Sequence, residues 1–316
     1  MSEGESPVLG PGKRARTRAR SCSTSLILGL ASAIALSGCT PSEGDATPEA
    51  PSGGGEGKSA TLRITDASGK SLTFQAPPKR IVSLVPAATR TLQLLGAGER
   101  LAGRTRYDTA ASLAHLPSVG GGLSPNLEAL ITLEPDLVIR FEGESDPATP
   151  ARLDDLGIRH LSLRLDRISQ VRDVILDLGA LVGAGEEALE LLRRMDASLD
   201  ETRERVVGEA PIRVAYVLGG SPPWVAGPGT FIHEILGIAG GENVFSDLNA
   251  LYGPVSPEEF LEREIDLVLT TQGTDLSLPS RDISQITLPP GIEIPGPELA
   301  EIARSMAELL HPEVFR

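Results

Sequence analysis

The sequence contains little cysteine and few aromatic residues. Only two of its 316 residues are cysteines, Cys22 and Cys39, and both lie within the first 39 positions. The rest of the chain therefore cannot form a disulfide, and its fold must be held by a hydrophobic core. Aromatic residues make up 3% of the chain, so the few that fall in predicted loops are conspicuous candidates for ligand contact.

Sequence signatures of common enzyme classes are missing as well. There is no nucleophile elbow, no glycine-rich phosphate loop and no His-Glu zinc motif. The four histidines show no metal-ligand spacing; we expect them to pack locally, with His233 as the one candidate for an axial metal contact. The formal net charge of −14 argues against nucleic acid as a partner. We therefore expect a non-catalytic protein without a resident cofactor.

Residues 1–39 have the pattern of a targeting segment. A basic stretch at 13–20 is followed by an apolar run at 26–31 and by the tetrad Leu-Ser-Gly-Cys ending at Cys39. This order is typical of a bacterial lipoprotein signal peptide, which predicts lipid attachment at Cys39. The alternatives are an ordinary signal peptide or a short membrane anchor, but the apolar run is too short to span a bilayer.

The composition after Cys39 predicts how the protein is held at the membrane. Residues 40–59 are mostly Pro, Ser, Gly, Glu and Ala, which cannot form a core and are typical of a flexible tether. Without the basic leader, the remaining chain has a net charge of −17. We expect an extracytoplasmic protein, in the periplasm or at the cell surface, that is anchored to the membrane by lipid.

One pattern occurs twice, 130 residues apart. Glu128 and Glu258 each stand eight residues before an Asp-Leu-Val sequence, at 136–138 and 266–268. The residues between them predict a short amphipathic helix that leads into a buried strand. Ser124-Pro125 and Ser256-Pro257 predict an N-cap followed by proline at the first helical position. A unit built twice, with one exposed carboxylate in each copy, indicates two similar lobes.

Apolar runs and amphipathic stretches alternate through the rest of the chain, which predicts an α/β fold. The alternating patterns at 62–65 and 72–75, on either side of a turn, predict a β-hairpin. Continuous apolar runs such as 80–85 are typical of buried parallel strands, and a helix is predicted from Thr89 to Leu95.

The predicted organisation is an N-terminal α/β lobe at 60–184, one long connecting helix at 185–208 and a C-terminal α/β lobe at 209–316, both lobes having central, mostly parallel sheets. No glycine or proline interrupts residues 186–207, and the helix is predicted to end at Gly208, so it is long enough to cross between lobes.

Four motifs carry a resemblance to a known family. They are Arg80–Thr89 (RIVSLVPAAT), Leu116–Gly121 (LPSVGG), the segment from Leu127 to Ile139, and Gly240–Phe245 (GGENVF). Over about residues 60–316 the chain resembles the periplasmic substrate-binding proteins of ABC importers for cobalamin, haem and ferric siderophores. The resemblance implies a monomeric receptor that holds a small metal-containing ligand between its lobes and delivers it to a permease dimer.

The resemblance also implies roles for named residues. In the family each lobe presents a glutamate to arginines of the permease, and the matching positions are Glu128 and Glu258. The alternative for both is a simple favourable interaction with the helix dipole. Because Ser256 and Glu259 already have the spacing of a capping box, Glu258 is not needed for capping.

The ligand cleft is predicted beyond the carboxyl ends of the strands. Four aromatic residues fall in predicted loops there: Tyr107, Phe141, Trp224 and Tyr252. Local packing is the alternative for each. Around these loops the chain is similar to cobalamin-binding members of the family, which implies that these side chains line a corrin site.

Three observations bear on the ligand class. The run Gly120–Gly122 stands where the cobalamin-binding relatives have a tryptophan, which implies a wider pocket or a different ligand. Haem-binding relatives carry a tyrosine near this motif, and only Tyr107 is available here. Arg104, Arg106 and Arg140 are candidates for contact with an acidic siderophore. We rank a corrinoid first, a ferric siderophore second and haem third; a tetrapyrrole-processing enzyme is the rival from another class.

Overall fold

The computed structural model describes residues 61–143, 148–271, 283–289 and 291–316. The predicted signal peptide, the tether and the lipidation site Cys39 lie outside these residues. Within the described part of the chain, no helix is long and apolar enough to cross a membrane.

The first lobe begins with an antiparallel hairpin of β1 (Leu62–Thr65) and β2 (Ser71–Phe74), as the alternating pattern predicts. A four-stranded parallel sheet follows, with the spatial order β4-β3-β5-β6. Its strands are β3 (Ile81–Ser83), β4 (Leu101–Gly103), β5 (Leu137–Phe141) and β6 (His160–Leu163). All but Ala102 and Phe141 of these strand residues are buried, which explains their continuous apolar runs.

Short helices connect the strands of the first lobe. They are α1 (Pro86–Leu94), α2 (Leu127–Thr132) and α3 (Ala148–Asp155), together with 3₁₀ turns at Gly98–Arg100 and Ala111–Leu113. The helix predicted from Thr89 begins three residues earlier. Proline is well tolerated at the first helical position, where its missing N–H is not needed, so Pro86 starts α1 rather than preceding it.

Two long helices follow the first lobe and form an antiparallel pair. α4 spans Ile168–Val182, and α5 spans Gly185–Arg205 at the position predicted for the connecting helix. Gly183, at φ +77°, lies in the turn between them. α4 packs on α1 and β1 of the first lobe, and α5 packs on α4 and on two later helices, Phe231–Ile238 and Leu299–Leu310. α5 therefore carries the chain from the first lobe to the second.

The second lobe contains a six-stranded, mostly parallel sheet. Its strands are β7 (Ile212–Gly219), β8 (Trp224–Ala226), β9 (Gly241–Asn243), β10 (Tyr252–Pro254), β11 (Leu267–Thr271) and β12 (Ser284–Leu288). The spatial order is β10-β8-β7-β11-β12, with β9 paired to the first residues of β7. The β10–β8 and β8–β7 pairings are antiparallel, whereas the β7–β11, β11–β12 and β7–β9 pairings are parallel. The helices are α6 (Phe231–Ile238), α7 (Pro257–Glu262) and α8 (Leu299–Leu310).

One hydrophobic core runs through both lobes. It extends from Ile64 of β1 through α4 and α5 to Leu310 at the end of α8, and smaller clusters lie on the other face of each sheet. The lobes also meet directly, through a 2.7 Å hydrogen bond from the Ile168 backbone N–H to the Glu234 carboxylate and through an Arg90–Glu298 ion pair. A shared core resists wide hinge opening because opening would expose apolar surface.

The repeated Asp-Leu-Val sequence has the same structural role in both lobes. Leu-Val forms the buried start of β5 and of β11. The Asp136 carboxylate accepts the backbone N–H of Arg80, just before β3, at 3.1 Å. The Asp266 carboxylate accepts the backbone N–H of Arg213 in β7 at 2.9 Å. The guanidinium of Arg213 also binds Asp266, and these bonds lower the pKa of that carboxyl to about 2.

Candidate functional site

A cavity of about 630 Å³ lies where loops of both lobes meet. Its walls come from segments that follow the carboxyl ends of β3, β4, β5 and β12, the edge of an α/β sheet where ligands usually bind. The lining residues are Pro86, Ala87, Arg106, Tyr107, Gly121, Gly122, Leu123, Ser124, Phe141, Gly291, Glu293, Ile294 and Pro295.

Another cavity, of about 430 Å³, lies beside α4 and is less suited to a ligand. It is lined by Asp66, Asp173 and Asp177, among others, and gathers no loops from the second lobe. The Asp66 carboxylate is already saturated by hydrogen bonds from Ser68 and Ser162. Burial, followed by the nearby Asp173 charge, raises the pKa of Asp177. We therefore take the cavity between the lobes as the candidate ligand site.

Two of the four predicted aromatic residues lie in the cavity wall. Phe141 is the last residue of β5 and half-buried, whereas the Tyr107 side chain is 58% exposed. The guanidinium carbon of Arg106 lies 5.3 Å from the centre of the Tyr107 ring. The backbone N–H of Arg106 donates to the Gly120 carbonyl at 2.8 Å, which connects this loop to the neighbouring wall. The wall thus presents an aromatic face next to one cationic group.

The glycine run in the wall has a steric cause. A Cβ added to Gly122 would lie 2.4 Å from the Leu84 carbonyl oxygen and 3.6 Å from the Phe141 ring. The loop therefore packs directly on the end of β3, and no larger residue fits at this position without a backbone shift. A tryptophan would not fit at Gly122 on this backbone.

The second lobe contributes a carboxylate that the sequence analysis missed. Glu293 lies in the wall, and its carboxylate accepts the Thr271 hydroxyl at 2.9 Å. Burial, then the carboxylates of Asp166 and Glu293, raise the pKa of Tyr252 to about 12. Burial, then Glu293, likewise raises the pKa of Tyr216. The Pro-Pro-Gly sequence at 289–291 was the available signal, since such sequences mark loops, and loops after the carboxyl ends of strands bind ligands.

Trp224 and Tyr252 lie outside this wall. Both were predicted in loops, but Trp224 is the first residue of β8 and Tyr252 the first of β10. The sequence pattern does not reveal these two strands, because each is only three residues long. Trp224 pairs with Pro254 and Tyr252 with Ala226, so the two aromatic side chains lie diagonally on one face of the strand pair. Trp224 is 48% exposed, and Tyr252 packs half-buried on the main core.

Of the three candidate arginines only Arg106 lines the cavity. The Arg104 guanidinium donates to the Leu113 and Thr105 carbonyls, at 3.0 Å each. Arg140 is buried, where it donates to His160 Nδ1 at 3.2 Å and pairs with Glu142. His233 is likewise no part of the wall. Among the described residues, an anionic ligand in the cavity therefore meets the guanidinium of Arg106 alone.

Glu128 and Glu258 occupy equivalent positions in the two lobes. Each is the second residue of a six-residue helix, α2 or α7, that precedes the central strand β5 or β11. Both side chains are exposed. Among the residues that the structure describes, neither carboxylate takes part in a side-chain hydrogen bond or ion pair. Hydrogen bonds within the fold therefore account for Asp136 and Asp266 of the repeat, whereas the two glutamates lie in first helical turns, where the helix dipole favours a carboxylate.

The start of α2 differs from the prediction. Ser124 was the predicted N-cap, but Asn126 is the N-cap, and its side chain accepts a backbone N–H of the first turn at 3.0 Å. In α7, Ser256 is the N-cap as predicted and accepts the Glu259 N–H at 3.0 Å. The prediction chose serine because serine-proline is common at helix starts, but asparagine caps equally well.

A model of the periplasmic binding protein family matches residues 81–284. The chain is 27% identical over 274 residues to an uncharacterised ABC transporter substrate-binding lipoprotein of Bacillus subtilis, covering 81% of this chain and 87% of that protein. It is 27% identical over 197 residues to the vitamin B12-binding protein of Vibrio cholerae, covering 62% of this chain and 71% of the relative.

The solved structure of a periplasmic haem-binding protein from Roseiflexus has the same fold. It superposes with a TM-score of 0.66 at 21% identity, covering 75% of this chain and 99% of that one. The predicted α/β architecture of two lobes is thereby confirmed.

Proposed function

The chain belongs to the periplasmic binding protein family, and we propose that it captures a corrinoid between its lobes and delivers it to an ABC importer. The observation that carries the proposal is the cavity at the carboxyl ends of strands from both lobes. In the part of the chain that the structure describes, its wall is mainly apolar, and its titratable side chains are Arg106, Tyr107 and Glu293. A site of this composition is suited to holding a large, partly apolar ligand rather than to acid–base chemistry.

The charges in the wall favour a ligand with both donors and acceptors. Ligand acceptors can receive hydrogen bonds from Arg106 and from the first N–H groups of α1, which lie next to the lining residues Pro86 and Ala87. Glu293 serves donors. A corrinoid carries amide groups around its ring, and each amide is both donor and acceptor. The carboxylates of haem or of an acidic siderophore would meet one guanidinium and be repelled by Glu293.

The relatives support the same ligand class. The Vibrio cholerae relative is named for vitamin B12 binding, and its match extends over 71% of its length. The exposed phenol of Tyr107 is the observation that favours haem as a second candidate, because a phenolate is a possible ligand for haem iron.

A ligand titration tests the proposal. The purified protein is mixed with cyanocobalamin, haemin, and ferric hydroxamate and catecholate siderophores, and binding is followed by absorbance and native mass spectrometry. We expect a 1:1 complex with cyanocobalamin. The cyanocobalamin released from it should have its original mass, because binding without turnover leaves the ligand intact. Saturation by haemin or a siderophore with no retained corrinoid would overturn the ligand assignment. A chemically altered ligand would instead favour an enzyme.

One substitution distinguishes the ligand classes by the sign of its effect. In Glu293→Gln, loss of the negative charge should weaken corrinoid binding roughly three- to tenfold, the value of a charged over a neutral hydrogen bond. The same change should strengthen haemin binding, because it removes a repulsion. Glu301→Gln, at an exposed glutamate of α8 outside the wall, is the matched control and should change neither. Tighter corrinoid binding in Glu293→Gln would contradict the proposed contact.

The two exposed glutamates support a docking role. Glu128 and Glu258 lie at the starts of helices, on the side of each sheet where the cavity opens, because a helix that leads into a parallel strand begins at the carboxyl edge of the sheet. The wall residue Ser124 is four positions before Glu128. We therefore assign both carboxylates to contact with basic residues of a permease dimer.

The lipid anchor at Cys39 completes the proposal. It is supported by the leader sequence and by the relative from Bacillus subtilis, whose name describes a lipoprotein. Mass spectrometry of the mature N-terminal peptide tests it. A diacylated Cys39 is the expected result, and an unmodified Cys39 would refute the anchor.

A further inference from the structure

A cluster of potential metal ligands lies outside the cavity wall, near the end of α8. It consists of Glu209, in the turn between α5 and β7, and of His311 and Glu313 after α8. One carboxylate oxygen from each glutamate and one ring nitrogen of His311 all lie within 4.8 Å of one another. The cluster brings together segments about 100 residues apart in the sequence.

The His311 ring is held in one orientation. The residue is only 2% exposed, and its Nε2 lies 3.1 Å from the Gly240 carbonyl oxygen. A carbonyl only accepts hydrogen bonds, so Nε2 must carry the proton. Gly240 has φ +80°, and a Cβ there would lie 2.4 Å from Nε2, so the ring packs directly on the backbone. This leaves Nδ1 as the nitrogen available to a further partner.

The available nitrogen faces carboxylate rather than a donor. Glu313 Oε1 lies 3.8 Å from His311 Nδ1, beyond hydrogen-bond distance. Among the described residues, Nδ1 has no hydrogen bond, and neither Glu209 nor Glu313 pairs with lysine or arginine. Two carboxylates and a lone pair so close together repel one another unless a cation lies between them. A ring nitrogen backed by a carbonyl on its other side is also the usual arrangement of a metal-ligating histidine.

We propose that His311 Nδ1, Glu209 and Glu313 bind a divalent transition metal of the Zn²⁺ class. One imidazole and two carboxylates suit zinc better than calcium or magnesium, which prefer oxygen ligands. Bonds of about 2.0–2.2 Å require the ligand atoms to close by roughly 1 Å. Glu209 and Glu313 are exposed and free to rotate inward, while the buried ring of His311 stays fixed. The metal joins the segment after α8 to the turn before β7, in a body that holds no cysteine.

Metal titration of paired variants tests the site. The full chain is purified in detergent, stripped with EDTA, and titrated with ZnCl₂ by calorimetry and thermal unfolding. We expect the stripped wild-type chain to bind about one Zn²⁺. Its Tm should rise by roughly 5–10 °C when the Zn²⁺ concentration is about a hundred times Kd. Glu209→Gln/Glu313→Gln should bind Zn²⁺ at least tenfold more weakly. The control Glu204→Gln/Glu301→Gln removes two exposed glutamates of α5 and α8 with the same change in charge, and it should bind as the wild type does.

Two further arms identify the ligands. Replacing ZnCl₂ with CaCl₂ should leave the thermal shift largely absent, because imidazole is a poor calcium ligand. His311→Asn should lose the Zn²⁺ response, and the exposed Glu209 and Glu313 variants decide the matter if that protein does not fold. Equal Zn²⁺ responses in the two double variants, or equal responses of the wild type to calcium and zinc, would overturn the site. Neither result depends on whether the cavity binds a corrinoid.

Discussion

Neutralising Glu128 and Glu258 should uncouple permease docking from ligand binding. Both side chains are exposed and form no side-chain contact among the described residues, so Glu→Gln at either position should change the free energy of unfolding by less than about 0.5 kcal/mol. Neither glutamate lines the cavity, so ligand affinity should be unchanged. Any loss should therefore appear only when the permease is present.

The size of the loss follows from the exposure of the two groups. An ion pair at about 4 Å gains roughly 4 kcal/mol at an effective dielectric constant of 20. Desolvation and side-chain ordering reduce the net value to about 1 kcal/mol for a pair that is exposed before docking. Each single variant should thus lose about fivefold in affinity for the permease. Because the residues lie in different lobes and share no partner, the losses should add, to about thirtyfold in the double variant.

The assay compares this double variant with a control of equal charge. Glu99→Gln/Glu301→Gln removes one exposed glutamate from each lobe, in elements other than α2 and α7. Binding to the permease in lipid nanodiscs is measured by surface plasmon resonance at low and at physiological salt, alongside ligand affinity and uptake. The docking losses should shrink as salt rises. Equal losses in both double variants would show that only net charge matters and would refute the docking assignment.

Two further predictions concern the fold. Gly122→Ala places a Cβ 2.4 Å from the Leu84 carbonyl oxygen and should destabilise the protein by about 1–3 kcal/mol in urea unfolding. As a control, Gly237→Ala in α6, where an added Cβ meets no atom within 4 Å, should stabilise the protein by about 0.5–1 kcal/mol. Equal effects of the two substitutions would contradict the packing argument. Arg213 lowers the pKa of Asp266 to about 2, below its usual 3.8, so the stability from this pair is present above pH 4 and is lost as the pH falls through 2. Asp266→Asn should cost about 1 kcal/mol at pH 7, the screened value for a partly exposed pair, and a difference from wild type that persists at pH 2 would refute this.

The sequence was sufficient for the main elements because their periodicity is local. The alternation at 62–65 and 72–75 predicted the hairpin, whose second strand lies at Ser71–Phe74, and the apolar run at 80–85 predicted the buried strand β3. The long helix predicted at 185–208 lies at Gly185–Arg205. The three-residue strands β8 and β10 escaped prediction, because so few residues show no alternation and only their pairing partners define them.

The candidate site was partly predictable. Aromatic scarcity singled out Tyr107 and Phe141, and the structure places both in one wall. Glu293 was missed because its segment follows a strand, β12, whose pairing with β11 is not visible in the sequence. The histidine prediction treated sequence spacing as the test for a metal site, and spacing cannot detect ligands that distant segments such as 209 and 311 bring together.

The sequence by itself determined the alternation of strand and helix, the doubled unit with Glu128 and Glu258, and the acidic, nearly cysteine-free composition, because each depends on residue type and local order. Only the tertiary structure decided which side chains share a cavity and that Arg140 is buried in a hydrogen-bond network while Arg106 lines the candidate cavity. It also decided that one ring nitrogen of His311 lies close to two carboxylates. These depend on how sheets, helices and loops pack across long sequence separations. That packing is set by the shared core of both lobes rather than by any one segment.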